Sequence, residues 1–391
     1  MTRRPKRKKK TYFDSYDYSS LKRTIPPCPH FGSCGGCSLQ DIEYSSQLVL
    51  KKDYLKDLFN QEVDVFPATE QLAYRNRMDF VYAYGDLGMR KKGDFRTVIP
   101  LTTCLLFPEP CQEVFVELKK LLSEHSIESY DFIEHSGFLR YIVFRHAPST
   151  GELMLVFTST TPSKDQEKAL KEVFDILKEK VTSLYWLIND SITDISVPVA
   201  EPFLCLGKTH ITEKIGDVSL LVSPFSFFQA NTQMASLVFE KIKEQVTGET
   251  VDLCCGVGTI GLLVADNAKS VLGIEEVADA IVLANENKKL NKKENVLFFT
   301  SSMKHILDFT PLHVDTLIVD PPRAGLEKKV VKRILELAPE KIIYMSCNPK
   351  TQKSDLDLIA ESEAYDVDSL EAFDMFPQTS HLETLLVLKR R

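Results

Sequence analysis

The sequence predicts an α/β protein: a doubly wound, Rossmann-like parallel sheet in the C-terminal part, an α+β domain in the middle and a small cysteine loop near the start. Three observations predict it. From about Ser223 short apolar runs alternate with helical segments, the pattern of parallel strands with helices on both faces. Between Tyr74 and Gly216, runs rich in β-branched and aromatic residues surround one amphipathic helix. Three of the nine cysteines fall within residues 28–37.

With 391 residues, 43% hydrophobic and 26% charged, the chain suits two or three domains around a sizeable core. No apolar run approaches the ~18–20 residues that span a bilayer. The basic N-terminus lacks the apolar stretch of a signal peptide, so a cytoplasmic protein without a membrane is expected. The odd cysteine count speaks against a disulfide framework. The formal net charge is −7, yet residues 1–10 hold seven basic side chains and no acidic one. Such an arm either binds RNA phosphates or is a solvated tail.

Residues 1–27 show no apolar periodicity and are expected to be a disordered basic tail. Residues 28–59 are a Cys/Gly-rich loop, "CPHFGSCGGCSLQ", and a helix from about Ile42 to Phe59. Residues 60–220 form the central domain: "RMDFVYAYG", "LRYIVFRHA", "ELMLVFTST" and "SLYWLIND" as strands, with "SKDQEKALKEVFDILKEK" as a helix. Residues 221–391 form the last domain. Its helix "NTQMASLVFEKIKEQV" precedes the strands "TVDLCC", "SVLGIE", "NVLFFT", "DTLIVD" and "KIIYMS", and two strand-like runs close the chain. Five parallel strands followed by an antiparallel pair is how S-adenosylmethionine methyltransferases end.

The strand "TVDLCC" runs into Gly256-Val257-Gly258-Thr259-Ile260-Gly261, and Glu275 closes the next strand, 19 residues after Gly256. Glycines there let backbone amides approach a ligand at a helix N-terminus, and the acid can bind ribose hydroxyls. A nicotinamide dinucleotide fits the same pattern. The fourth strand ends in Asp320-Pro321-Pro322-Arg323, a stiff turn facing the same crevice. Dehydrogenases have no use for it. Amino-methyltransferases carry an aromatic where Arg323 stands, so an exocyclic nitrogen is disfavoured as target.

The fifth strand ends at Cys347, just before a helix start at Asn348-Pro349, where helix amides are expected to lower a thiol's pKa. A cysteine beside a methyl donor has a defined use. Carbon 5 of uracil is a poor nucleophile, but thiolate addition at carbon 6 turns it into an enolate carbon that attacks a sulfonium methyl. The adduct collapses only after a base removes the carbon-5 proton. "FPQTSHLET" offers Glu383 and His381.

From residue 28 to the C-terminus the chain resembles the RNA uridine-5-methyltransferases that modify 23S ribosomal RNA and transfer RNA. The motifs that carry the resemblance are "CPHFGSCGGCSLQ", "YRNRMDF", "SPFSFFQANTQM", "VDLCCGVGTIG", "GIEEVADA", "DPPRAGL", "YMSCNP" and "FPQTSHLE". It implies Cys347 as nucleophile and Glu383 as base. Gln229 would contact the methionine part of the cofactor, Glu275 the ribose, and Asp320 would be a cofactor-pocket carboxylate. Cys254, Gly256, Gly258 and Thr259 would line the cofactor, with Ser302 toward the adenine. At Cys254, Thr259 and Ser302 the residues depart from the family's usual ones, which bears on the adenine side and not on the chemistry.

The resemblance also implies a structural [4Fe-4S] cluster on Cys28, Cys34, Cys37 and Cys104, where spacing alone allows zinc almost as well; Cys111 is the lesser alternative for the fourth ligand. Only 27 residues precede Cys28, too few for the small oligonucleotide-binding barrel of some ribosomal members. The central domain is expected to bind RNA, with Tyr74, Arg75 and Arg77 either contacting it or forming salt bridges within the sheet. The expected protein is a monomer acting on 23S ribosomal RNA, with transfer RNA as the alternative. Its rivals are a nicotinamide oxidoreductase, which leaves Asp320 and Cys347 idle, and a catalytically silent RNA-binding protein.

Overall fold

Strands Glu249–Leu253, Ser270–Glu275, Val296–Thr300, Thr316–Val319 and Lys341–Ser346 run parallel in one sheet, in spatial order third, second, first, fourth, fifth. The computed structural model describes residues 12–310 and 313–391; the basic run 1–10 lies outside the described residues. Beyond the fifth strand, Glu383–Arg390 and Tyr365–Phe373 extend the sheet antiparallel. The middles of the parallel strands are mainly apolar, with polar residues gathered toward their ends, as suits a sheet covered on both faces. The fourth strand, Thr316–Val319, is buried at every position. Helices Thr232–Gln245, Thr259–Val264 and Ala278–Asn291 contribute to one core, and Lys328–Leu337 and Pro349–Ala360 to the other. The order of strands reverses between the first and the fourth, so their carboxyl ends open a crevice.

The central domain is a seven-stranded sheet, ordered Asp94–Pro100, Asp86–Lys91, Arg77–Ala83, Leu139–Ala147, Glu152–Ser159, Ser183–Ile188 and Leu204–Gly207. Helices Glu109–Glu124 and Lys164–Leu177 cover one face through a core of Phe80, Phe115, Phe144, Phe157, Phe174 and Trp186. Ser163 and Gln166 close the second helix with a capping box, which satisfies two otherwise orphaned amides.

Three boundaries differ from those the sequence predicts. Tyr12–Ser15 is a helical turn whose aromatic neighbours pack on Tyr54, so the expected tail is folded from residue 12 onward; clustered tyrosines gave no helical period to detect. Helix Tyr44–Phe59 and strand Asp64–Phe66 attach to the C-terminal sheet, the strand pairing parallel with Tyr365–Phe373. The hairpin Ile211–Ile215 and Val218–Val222 packs on both sides of the expected boundary at 221: Ile215, Val218 and Leu220 join the core of the C-terminal helices, and Ile211 and Val222 join Val143, Val156 and Leu187 of the central sheet. Among the described residues, no helix is long and apolar enough to cross a membrane.

Candidate active site

The crevice is a cavity of about 530 Å³, within the range of small-molecule sites. Gln229, Cys254, Gly256, Glu275, Asp320, Cys347 and Glu383 all line it. Thr259 lines a smaller adjoining recess with Gln229 and Asp320. Gly258 and Ser302 do not reach the cavity wall. Gly258 has φ +83°, and a Cβ there would stand 2.5 Å from the Phe298 ring, so it is a packing glycine beneath the turn. The Ser302 hydroxyl accepts from the Lys304 N–H and caps a short 3₁₀ turn, while Ser301 and Met303 face the cavity.

At the ribose side, Glu275 Oε2 accepts from the Gly256 N–H at 3.2 Å and Oε1 from the Val277 N–H at 3.0 Å. A Cβ on Gly256 would meet nothing within 4 Å, so the turn is open toward the cavity. The Cys254 thiol donates to Met303 Sδ at 3.2 Å. Below them Asp252 is fully buried, accepts from the Gly261 N–H at 3.0 Å and is pushed up to about 8 by burial. Burial likewise pushes Asp320 up to about 7.

Cys347 and Glu383 are neighbours by register. The fifth parallel strand pairs Ser346 with Thr384 on the antiparallel last strand, so the residue after Ser346 lies opposite the residue before Thr384. The Thr384 hydroxyl fixes this junction, bonding Ser346 O at 3.2 Å and Gln352 Oε1 at 2.8 Å. The surroundings raise the Cys347 thiol, chiefly by burial and then by the Glu383 charge, with Arg323 pulling it down. This runs against the lowering expected from the helix start: burial and the carboxylates from other strands raise the thiol. Glu383 is held far above the ordinary carboxylate range by burial and by Asp320, and its Oε2 has no partner among the described residues. His381 lines the same cavity but is lowered by burial and by the Arg323, Lys51 and Arg75 cations.

Arg323, Phe227 and Phe376 also line the cavity, and sequence reasoning gave none of them a role. For Phe227 the signal was available: an aromatic two residues before Gln229 that is exposed when folded. "YRNR" serves the fold more than a partner. The Tyr74 hydroxyl donates to Pro377 O at 3.1 Å, and Arg77 forks onto Asp79 at 2.8 and 2.9 Å. Asn76 Nδ2 donates to Gln229 O and Thr232 Oγ1, both at 2.8 Å, tying the central sheet to the cofactor side.

Cys28, Cys34, Cys37 and Cys104 line one small cavity, together with Gly36, Gln40 and Arg75. Gly35 sits where a Cβ would meet Arg90 O at 2.9 Å. The Gly36 N–H donates to Cys34 Sγ at 3.4 Å and Gln40 Nε2 to Cys37 Sγ at 3.2 Å. Cys111 is buried in the core of the central domain. Among the described residues no group of three or more His, Cys, Asp or Glu side chains forms a metal site.

A switch-point cleft in a sheet of this order, with a carboxylate closing the second strand and an acid following the fourth, is the arrangement of the S-adenosylmethionine-dependent methyltransferases. Comparison with known proteins narrows the class. Residues 221–391 match the family model described as tRNA (Uracil-5-)-methyltransferase. A tRNA (uracil(54)-C(5))-methyltransferase of Pyrococcus furiosus is 36% identical over 95% of this chain and 87% of its own length. A protein of Caldanaerobacter subterraneus, named only as an uncharacterized RNA methyltransferase, is 33% identical over 93% of this chain and 84% of its own. The crystal structure of Pyrococcus abyssi tRNA (uracil-54, C5)-methyltransferase in complex with S-adenosyl-L-homocysteine is similar with a TM-score of 0.79 and 32% identity, covering 91% of this chain and 86% of that one. The chain belongs to the RNA uracil-C5 methyltransferase family, and its reaction is S-adenosylmethionine-dependent methylation of uracil carbon 5 in RNA.

Proposed function

We propose that the substrate is transfer RNA, methylated at the uridine the archaeal relatives' names specify, position 54. Two of the relatives support it: the P. furiosus enzyme, 36% identical, and the P. abyssi enzyme, with a TM-score of 0.79, are both named for that uridine. This replaces the 23S ribosomal RNA expected from sequence, because similarity over nearly the whole chain outweighs a choice made without a substrate signal.

The observation that carries the mechanism is the Ser346–Thr384 register, which sets Cys347 beside Glu383. The Cys347 thiolate adds to carbon 6 of a uracil turned out of its stack. S-adenosylmethionine supplies a methyl on a sulfonium, taken by carbon 5. Glu383, whose burial raises its proton affinity, then removes the carbon-5 proton, the sulfur–carbon 6 bond breaks and the thiolate returns. Glu275 would hold the ribose and Gln229 the methionine part of the cofactor, with Gly256 and the Asp320 carboxylate lining the same pocket.

The four cysteines suit a cluster: all-thiol donors face one cavity, and N–H groups donate to two of the sulfurs. Cys28, Cys34, Cys37 and Cys104 would hold an iron–sulfur cluster, whose part is to shape this segment.

Labelled methyl transfer to unmodified transfer RNA and 23S ribosomal RNA transcripts, followed by mapping, tests the target. Label confined to ribosomal RNA overturns the transfer RNA reading. Glu383→Gln tests the chemistry: it should trap RNA on the protein, and intact turnover with free RNA alone removes Glu383 from the role of base. Iron, sulfide and zinc analysis of the purified protein decides the metal.

A further inference from the structure

One face of helix Tyr44–Phe59 follows the segment 374–383, which carries His381 and Glu383. At its entry Lys51 Nζ donates to Asp374 Oδ1 at 2.5 Å. In its middle Gln47 Nε2 donates to Gln378 Oε1 at 3.0 Å, and the Gln378 N–H donates to Gln47 Oε1 at 3.1 Å. At its exit Leu382 packs in one cluster with Tyr54, Leu55 and Phe59. Positions 47, 51, 54 and 55 fall on one helical face, so the helix splints the segment from end to end.

The cysteine loop meets the segment at the same residue. The N–H groups of Ser38 and Leu39, directly after Cys37, both donate to Gln378 O at 3.0 Å. Gln378 has φ +68°, a conformation that non-glycine residues keep only where their surroundings hold it. From there the turn is tied internally: the Thr379 hydroxyl donates to Phe376 O at 2.7 Å and accepts from the His381 N–H at 3.2 Å. A displacement at Gln378 is thus passed along a stiff turn toward Glu383, five residues on.

We propose that Gln47 and Gln378 are positioning residues for the base, through which the cysteine loop sets where Glu383 stands. The inference rests on Glu383 being that base. Proton removal requires the carboxylate within hydrogen-bond reach of carbon 5, and a misplacement of about 1 Å costs about 10²-fold. Thiolate addition and methyl transfer do not use the base. Loosening the clamp should therefore slow elimination and leave the earlier steps standing. In that step the carbon-5 proton passes to Glu383, the electron pair of its C–H bond forms the 5,6 double bond and the Cys347 sulfur leaves.

Gln47→Met keeps the side chain's length and deletes its hydrogen bonds. The full-length variant is compared with the native protein on an unmodified transfer RNA transcript that the native protein methylates. First-turnover methyl incorporation, release of free RNA, S-adenosylhomocysteine affinity and amide exchange are read. Release should slow by about tenfold or more, with covalent RNA accumulating. Incorporation and affinity should stay within about twofold, and exchange at Ser38, Leu39 and Gln378 should rise. Incorporation and release falling together, or unchanged release despite faster exchange, overturns the proposal. Should Gln47→Met fail to fold, Gln378→Gly tolerates the positive φ, keeps the backbone bonds and is read the same way. Glu383→Gln runs alongside: if it traps no adduct the base assignment fails, and if it traps adduct while the clamp variants do not, the clamp alone fails.

Discussion

Lys51 and Asp374, 323 residues apart in the chain, form an ion pair at 2.5 Å with both side chains wholly buried. Burial lowers the Lys51 pKa while the Asp374 charge opposes it. Lys51→Met leaves the buried carboxylate without its counter-charge, with the Tyr44 hydroxyl beside it, and should cost about 3–5 kcal/mol in denaturant unfolding. Adding Asp374→Leu should recover most of that loss. A single variant as stable as the native protein would mean the carboxylate gains water on losing its partner.

Gly258→Ala meets two obstacles: the left-handed φ of +83° and the Phe298 ring, 2.5 Å from the added Cβ. A loss of about 1–3 kcal/mol is expected, with weaker S-adenosylhomocysteine binding as the turn shifts. Thermal unfolding with and without ligand measures both. Unchanged stability would show that the third strand yields freely.

The raised Cys347 thiol is mostly protonated at neutral pH, so first-turnover methyl transfer should climb with pH, by about tenfold per pH unit below the thiol's pKa. Arg323 is the group that pulls the thiol down. Arg323→Gln should move the rising limb to higher pH, visible in the profile of adduct formation. A profile flat from pH 6 to 9, taken on single turnovers, contradicts the raised thiol.

The carboxyl of Glu383 binds its proton more tightly in the folded than in the unfolded chain. That linkage stabilises the fold fully below the unfolded pKa and is lost as pH rises through the folded value. Glu383→Gln stays neutral throughout. It should match the native protein near pH 4 and be the more stable of the two at pH 8. Denaturant unfolding at both values checks this, and an equal difference at each would place the group in water.

Cys104 lines the cavity of the other three cysteines and Cys111 does not. Cys104→Ala should abolish metal content, and Cys111→Ala should leave it intact at a modest cost in stability. Metal analysis of both variants settles the fourth ligand.

The residues of the proposed reaction were legible because their neighbours in sequence are strand ends. Gly256, Glu275, Asp320 and Cys347 each follow an apolar parallel run, and that topology brings such ends to one crevice. Gly258, in the glycine turn, and Ser302, after the third strand, also follow parallel strands but do not line the cavity: one packs under Phe298 and the other caps a 3₁₀ turn, which spacing cannot reveal. The thiol's pKa was misjudged for the same kind of reason: the helix start is visible locally, whereas Glu383 and Asp320 come from other strands.

Sequence alone determined the local elements and the chemistry at their ends, because apolar periodicity, turn residues and motif spacing act over a few residues. The tertiary structure decided what long-range contacts create: the Ser346–Thr384 register beside the nucleophile, the burial of Lys51 and Gln47 on the helix expected from about Ile42 to Phe59, and the attachment of that helix to the C-terminal sheet. Buried polar side chains are held by partners hundreds of residues away, and no local pattern records them.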